Sequence, residues 1–225
     1  MNSLERFNRF NEDRERIFRI LQYTVHLIWA VQSKISIDDY GKIQRLQQIE
    51  SMLYFTRQGL RFGKFLEPFR RSMHPVSDNG FVQTIHSMSI ISRALYLVCD
   101  NLIWLTRIEF LSNDKQNRFR YYANSFFLYS KILTLVKNLY EMEKSHREFC
   151  ESNSMNAQYF ISETNRSQTI LREFLAKNKS QTLNILENLC DILLCLKWLK
   201  KINLNPIFIG FLGLISSTMY LIRKK

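Results

Sequence analysis

Residues 205–225, at the C-terminal end of the chain, restrict its possible folds more than any other stretch. Pro206 to Ile222 is seventeen residues without a charge, preceded by Lys200 and Lys201 and followed by Arg223, Lys224 and Lys225. A helix of that length rises about 25 Å, and about 17–25 mainly apolar residues are enough to cross the hydrocarbon core of a bilayer. Ile207, Phe208, Ile209, Phe211, Leu212 and their apolar successors each favour insertion by about 0.3–0.6 kcal/mol, and the glycines and serines offset part of that gain. A buried core helix is the alternative, but a core helix seldom needs basic clusters at both ends. The pattern predicts a transmembrane helix at the C-terminus.

The rest of the chain reads as all-α: membrane-associated amphipathic helices ahead of that C-terminal transmembrane helix. Six glycines and three prolines in 225 residues are too few for the turns of an all-β protein. The formal net charge is +12, which suits nucleic acid or an anionic lipid surface; the apolar segments favour lipid. The N-terminus, MNSLERFNRFNEDRERIF, is too charged for a secretory signal. Cys99, Cys150, Cys190 and Cys195 form no CxxC and fall mostly within apolar helical runs, as expected of reduced thiols.

Helical periodicity divides the chain into tracts. In the first, Phe10, Ile17, Ile20, Leu21, Thr24, Leu27, Ile28 and Val31 share a face, and Glu12–Arg16 and Glu15–Arg19 lie on the other. Acid before base at i,i+4 is worth a few tenths of a kcal/mol per pair. The second tract runs from about residue 40 to 69, ahead of the breakers Pro75, Asp78, Asn79 and Gly80. The third is 81–111, the fourth 117 to about 150, and the fifth 169–199, which leads through Asn205–Pro206 into the terminal span. These define four regions: 1–80, N-terminal amphipathic helices; 81–150, a central membrane-associated helical region; 151–168, a polar linker; and 169–225, a helix and its anchor.

The second tract combines apolar stripes with basic residues. Leu46, Ile49, Leu53 and Leu60 line one side, and Phe55, Phe62 and Leu66 form a second stripe. Arg57, Arg61, Lys64, Arg70 and Arg71 cluster towards its end, with Glu67 the one acid among them. Such a helix can lie in the headgroup region of a membrane, where each Lys or Arg near an anionic leaflet adds about 1 kcal/mol. It can equally pack on its neighbours with a solvated basic face. Leu46, Ile49, Leu53, Arg57, Leu60, Arg61, Phe62 and Lys64 are the candidate membrane-binding residues.

On the third tract His86, Arg93, Asp100 and Arg107 are spaced by seven along an otherwise apolar helix. Ionisable residues inside a membrane mark functional sites; a polar seam between packed helices, with Arg93 and Asp100 as helix-packing residues, is the commoner arrangement. Gly213 and Ser217 form a small-xxx-small pair that permits close helix approach and are further helix-packing candidates.

Catalytic and cofactor motifs are absent from the sequence. His26, His74, His86 and His146 have no metal-ligand spacing. Gly59-Leu60-Arg61-Phe62-Gly63 lies in a helical pattern without the strand a phosphate loop requires. No zinc-finger or RNA-binding signature accompanies the basic cluster. The expectation is a protein that is not an enzyme, with no metal, no cofactor and no nucleic-acid partner.

Several of these segments also carry a resemblance. Arg14-Glu15-Arg16-Ile17-Phe18-Arg19 with Gln22-Tyr23, Arg57 through Lys64, Arg93 to Asp100 with Trp104, Tyr129-Ser130 through Glu141, and Asn188 to Leu193 followed by Asn205-Pro206, Gly210, Gly213 and Ser216-Ser217 occur in order along nearly the whole chain. Together they resemble the peroxisomal membrane protein 11 family, the peroxins that elongate peroxisomes. The resemblance implies a peroxisomal membrane location, with region 1–80 remodelling the membrane by inserting an amphipathic helix into one acidic leaflet and promoting fission and proliferation. It also implies homo-oligomers and recruitment of a dynamin-type fission GTPase with its membrane adaptor. A channel for small metabolites is the alternative, hinted at by the His86–Arg93–Asp100–Arg107 stripe. The charge flanking the terminal span leaves its orientation open.

Overall fold

A computed structural model describes residues 3–35, 40–68, 79–155 and 178–224. The described residues are helical, and they contain no strand. The elements are α1 (Ser3–Ile35), α2 (Tyr40–Leu60), α3 (Gly80–Arg107), a 3₁₀ turn (Asn113–Lys115), α4 (Gln116–Met155), α5 (Lys179–Trp198) and α6 (Pro206–Lys224).

Their ends follow local chemistry. Asn79 caps α3 by accepting from the Phe81 amide at 3.1 Å, and Asn205 does the same for the Ile207 amide ahead of α6, with Pro206 at the first helical position. α3 and α5 both close in a Schellman arrangement. Glu109 (φ 61°) and Lys200 (φ 57°) take the left-handed conformation. The Phe110 amide then reaches the Leu105 carbonyl, and the Lys201 amide reaches that of Leu196. α3 therefore stops at Arg107, short of the expected Leu111.

α2 is likewise shorter than the 40–69 tract. It ends at Leu60 in a turn through Gly63, whose φ of 75° only glycine takes without strain. α4 is longer than expected and carries its helix through Met155, into the first residues of the stretch read as a linker. The remainder of that linker, 156–168, and residues 169–177 of the fifth tract lie outside the described residues.

Consecutive helices pack as antiparallel neighbours, and α6 returns to α1. The pairings fix the registers: Gln22 with Arg57 between α1 and α2, Arg61 with Asp100 between α2 and α3, and Ser89 with Ser130 between α3 and α4. Lys131 meets Asp191 between α4 and α5, Asp191 meets Ser216 between α5 and α6, and Arg19 meets Ser216 between α1 and α6. The result is a closed ring, with its slightest contact between α2 and α3.

The ring is largely polar inside, and large apolar side chains lie outside on α1, α3, α4, α5 and α6, whereas the outer face of α2 is mostly polar, with Lys42, Gln44, Arg45, Gln47 and Gln48 exposed beside Ile49 and Met52. α3 exposes Phe81, Met88, Ile91, Leu95 and Val98; α4 exposes Tyr122, Tyr129, Ile132, Val136 and Leu139 at the same spacing; α6 exposes Phe208, Phe211, Ile215 and Ile222. Glu15, Arg19, Arg57, Asp100, Lys131 and Asp191 are buried. One small apolar cluster, Tyr23, Leu194, Ile209 and Leu212, joins α1, α5 and α6. Charges inside and large apolar side chains outside reverse the usual arrangement in water, and suit a lipid surround. α3 and α6 are long and apolar enough to cross a membrane.

Candidate functional site

The interior charges come from short spacings in the sequence. Glu15, Arg19 and Gln22 fall on one face of α1, and Ile17, Leu21 and Ile28 on the opposite one, where they are exposed. α2 brings Arg57 and, just beyond its end, Arg61; α5 brings Glu187 and Asp191. Both are like-charge i,i+4 pairs, unfavourable in an isolated helix, so each needs opposite charge from elsewhere.

The ring supplies it in one transverse layer with two halves. In the first, Glu15 Oε1 accepts from Arg57 Nε at 2.9 Å, Arg57 Nη2 at 2.6 Å and Arg61 Nη1 at 3.1 Å. Arg57 Nη1 donates to Gln22 Oε1 at 2.6 Å. Arg61 Nε and Gln58 Nε2 donate to the two oxygens of Asp100, each at 2.9 Å. In the second half, Asp191 Oδ1 accepts from Arg19 Nη2 at 2.5 Å and Ser216 Oγ at 2.6 Å, and Lys131 Nζ lies 2.8 Å from Oδ2. Glu187 lies 3.5 Å from Arg16, 3.9 Å from Lys131 and 3.3 Å from Arg223. All six helices contribute.

Burial would raise the pKa of Glu15, but Arg57 and Arg61 outweigh it and hold the carboxyl well below the usual carboxylate range. Asp191 behaves alike: burial acts upward, and Arg19 and Lys131 overcome it. Both carboxylates are charged at neutral pH. The layer is a lateral clamp that holds the helices by their charged faces; on α1, α3, α4, α5 and α6 this leaves apolar residues outward.

This changes the roles expected of several residues. Arg57 is 6% exposed, and Arg61 is paired with both Glu15 and Asp100, so neither offers a free basic face to lipid. Glu15 and Arg19 do not act as an isolated i,i+4 pair; each is engaged with another helix. Of the other membrane-binding candidates, Ile49 and Phe62 are exposed, and Leu46, Leu53, Leu60 and Lys64 are half-buried. Met52, not among the candidates, is 70% exposed beside Ile49. Asp100 does pack against a facing helix, but Arg93 is exposed, so the seven-residue stripe is not one seam. His86 lies 3.3 Å from Lys137 Nζ on α4, and Arg107 stacks 5.0 Å over the Tyr54 ring.

Gly213 and Ser217 pack within the chain. A Cβ at Gly213 would fall 2.2 Å from the Tyr23 ring, so glycine is what lets α1 and α6 approach here. Ser217 is buried and donates to the Gly213 carbonyl at 2.7 Å. Among the described residues no group of His, Cys, Asp and Glu has the arrangement of a metal site.

Known proteins are similar to this chain. The chain is 27% identical to human Peroxisomal membrane protein 11A, an alignment covering 96% of this chain and 93% of that protein. It is 25% identical to Peroxisomal membrane protein PMP30B of Candida boidinii, covering 96% and 91%. Human Peroxisomal membrane protein 11B is 30% identical over 63% of this chain and 55% of its own length. No solved structure matches. The model of the Peroxisomal biogenesis factor 11 (PEX11) family matches residues 1–223, and the chain accordingly belongs to that family as a membrane protein of peroxisomes.

Proposed function

We propose that this protein remodels and elongates the peroxisomal membrane by inserting amphipathic helices, and so promotes fission and proliferation. The observation that carries the reading is the reversed ring, in which α1, α3, α4, α5 and α6 bear exposed large apolar residues around a charged interior. A helix that sinks its apolar face about 5–10 Å into one leaflet expands that leaflet relative to the other and favours curvature. On α2 the residues available for this are Ile49 and Met52, followed by Phe62 beyond the helix end. Several copies side by side would concentrate the effect, which makes acidic phospholipid and other copies of this chain the expected partners. A dynamin-type fission GTPase and its membrane adaptor would act on the narrowed tubule.

Replacing Ile49 and Met52 by Glu places two charges where lipid contact is expected and leaves the buried layer untouched. The variant should reach peroxisomes and fail to elongate them. Normal elongation by a correctly located double variant would overturn the reading.

A second reading, conduction of small metabolites, draws support from the closed ring of charged inner faces. Ion pairs fill the layer, so conduction requires them to part. Single-channel recording in a planar bilayer tests it: conductance steps that change with Asp100→Asn would favour it, and silence would remove it.

A further inference from the structure

By composition α4 is too polar to count with α3 and α6 as a membrane-crossing helix. Its surface is a different matter. Every exposed side chain from residue 121 to 140 is apolar or aromatic: Tyr129, Ile132, Val136 and Leu139, with Tyr121 and Tyr122 at one end and Tyr140 at the other. The polar residues of the same stretch are turned away from the outside. Ser130, Lys131 and Asn138 are buried, and Asn124, Ser125, Thr134 and Lys137 are half-buried. Just beyond these limits the exposed side chains become charged, with Arg118 and Arg120 before them and Glu143, Lys144 and Arg147 after. Twenty helical residues rise about 30 Å, which is the thickness of the hydrocarbon core of a bilayer. Tyrosines at both edges of the stripe stand where an interfacial aromatic belt would place them.

The charges that lower the hydropathy of α4 have partners in the ring. Lys131 Nζ lies 2.8 Å from Asp191 of α5, and Lys137 lies 3.6 Å from Glu141. An ionisable residue at membrane depth that faces the bundle and is paired there does not meet lipid. The depth itself is set by α3. The Tyr96 and Phe127 rings lie 4.8 Å apart, Ser89 Oγ lies 2.7 Å from Thr134 Oγ1, and the Phe81 and Tyr140 rings lie 5.8 Å apart. α4 is therefore level with the α3 span along its own apolar stripe. Asp191, which also accepts from Ser216 at 2.6 Å, ties Lys131 to α6 as well. For α3 and α6 to enter the bilayer without α4, the buried Ser89–Ser130 and Lys131–Asp191 contacts would have to part.

We infer that α4 crosses the bilayer beside α3 and α6, with its Tyr121–Tyr140 stripe against lipid acyl chains. Hydropathy along the sequence misses this span because its polar residues face the ring. α4 carries the chain back over the membrane that α3 has just crossed, so residues 108–115 and 143–147 lie on opposite sides. The inference rests on the assignment of α3 and α6 to the membrane and is independent of whether α2 inserts.

The test is photolabelling of the unaltered full-length chain in phosphatidylcholine vesicles, with a diazirine at the end of a lipid acyl chain, followed by trypsin and mass spectrometry. Trypsin releases residues 121–131 and 132–137 from α4, 202–223 from α6, and 108–115 from the loop between α3 and α4. The probe group sits at the bilayer centre, about 15 Å from either edge of the hydrocarbon core, so the α4 peptides should be labelled per residue within about twofold of the α6 peptide and about tenfold above the loop. α4 peptides at the level of the loop, with the α6 peptide labelled, would overturn the inference: α4 would then lie outside the hydrocarbon or under a second copy of the chain. Labelling of α4 by a diazirine on the headgroup and not by the acyl-end probe would place it flat on the membrane surface, and overturn it too. An unlabelled α6 peptide would remove the span on which the inference rests, and the inference with it.

Discussion

Arg19 donates to Asp191 at 2.5 Å across 172 residues of sequence, and that contact ties the first helix to the fifth while Ser216 of the sixth completes the carboxylate's shell. Breaking a buried pair by removing one partner costs about 3–5 kcal/mol, because the other charge is left uncompensated.

Asp191→Asn should therefore unfold the ring well before neutral apolar substitutions of similar size, as measured by denaturation in detergent. The pH dependence carries a defined sign. Asp191 and Glu15 have folded pKa values held well below the usual carboxylate range. Their stabilisation is thus complete above the unfolded pKa of about 4 and declines as pH falls below it. Unfolding midpoints should be flat from pH 8 to 5 as far as these two groups are concerned, and drop below about pH 4. In Asp191→Asn protein the drop should be smaller.

Gly213→Ala should destabilise the monomer by about 1–3 kcal/mol, the usual cost of overpacking a close contact. The added methyl would meet the Tyr23 ring at 2.2 Å. A Tyr23→Leu background should recover part of the loss, and a double-mutant cycle measures the coupling. Full additivity would show that the two positions do not clash.

Arg57 and Lys64 separate structural from interfacial charge. Arg57→Ala strips Glu15 of two hydrogen bonds and should lower stability by several kcal/mol, with a deficit that persists at high salt. Lys64→Ala should leave stability nearly unchanged. Any loss of vesicle binding it causes should be confined to anionic vesicles at low ionic strength, where screening is weakest.

Truncation after Asn205 removes α6, and with it the Ser216 hydroxyl and the Gly213 groove. α3 remains as a second segment able to cross a membrane. Alkaline carbonate should then extract more of the truncated chain than of the parent; the fraction that resists measures the hold of α3.

Helix existence was legible in the sequence because 3.6-residue periodicity is a local signal, and so was the terminal span, which needs only length and lack of charge. The ends were less so. Nothing in the composition around Glu109 marks it as a left-handed cap, since a non-glycine residue takes that conformation only when the hydrogen bonds behind it allow. The partners of the charged residues are not legible, for a physical reason. In water a charged face points outward, so the sequence presents Arg57 and Arg61 as a basic cluster and Glu15–Arg19 as a local pair. A signal pointing the other way is present: Arg57/Arg61 and Glu187/Asp191 are like-charge i,i+4 pairs, each of which needs opposite charge from another helix. Arg61 finds Asp100 and Asp191 finds Arg19, but the choice of partner depends on ring order, which no local pattern encodes.

The antiparallel contact between α1 and α6, from Arg16 beside Tyr220 to Leu27 against Gly210, has a further consequence for the organelle. The N-terminal half of α1 and the C-terminal end of α6 lie at the same rim of the ring. If α6 crosses the bilayer with α1 held beside it, those two helix ends face one compartment, and the question of orientation reduces to a single choice. Protease sites engineered at the two ends must be cut together or protected together on sealed peroxisomes.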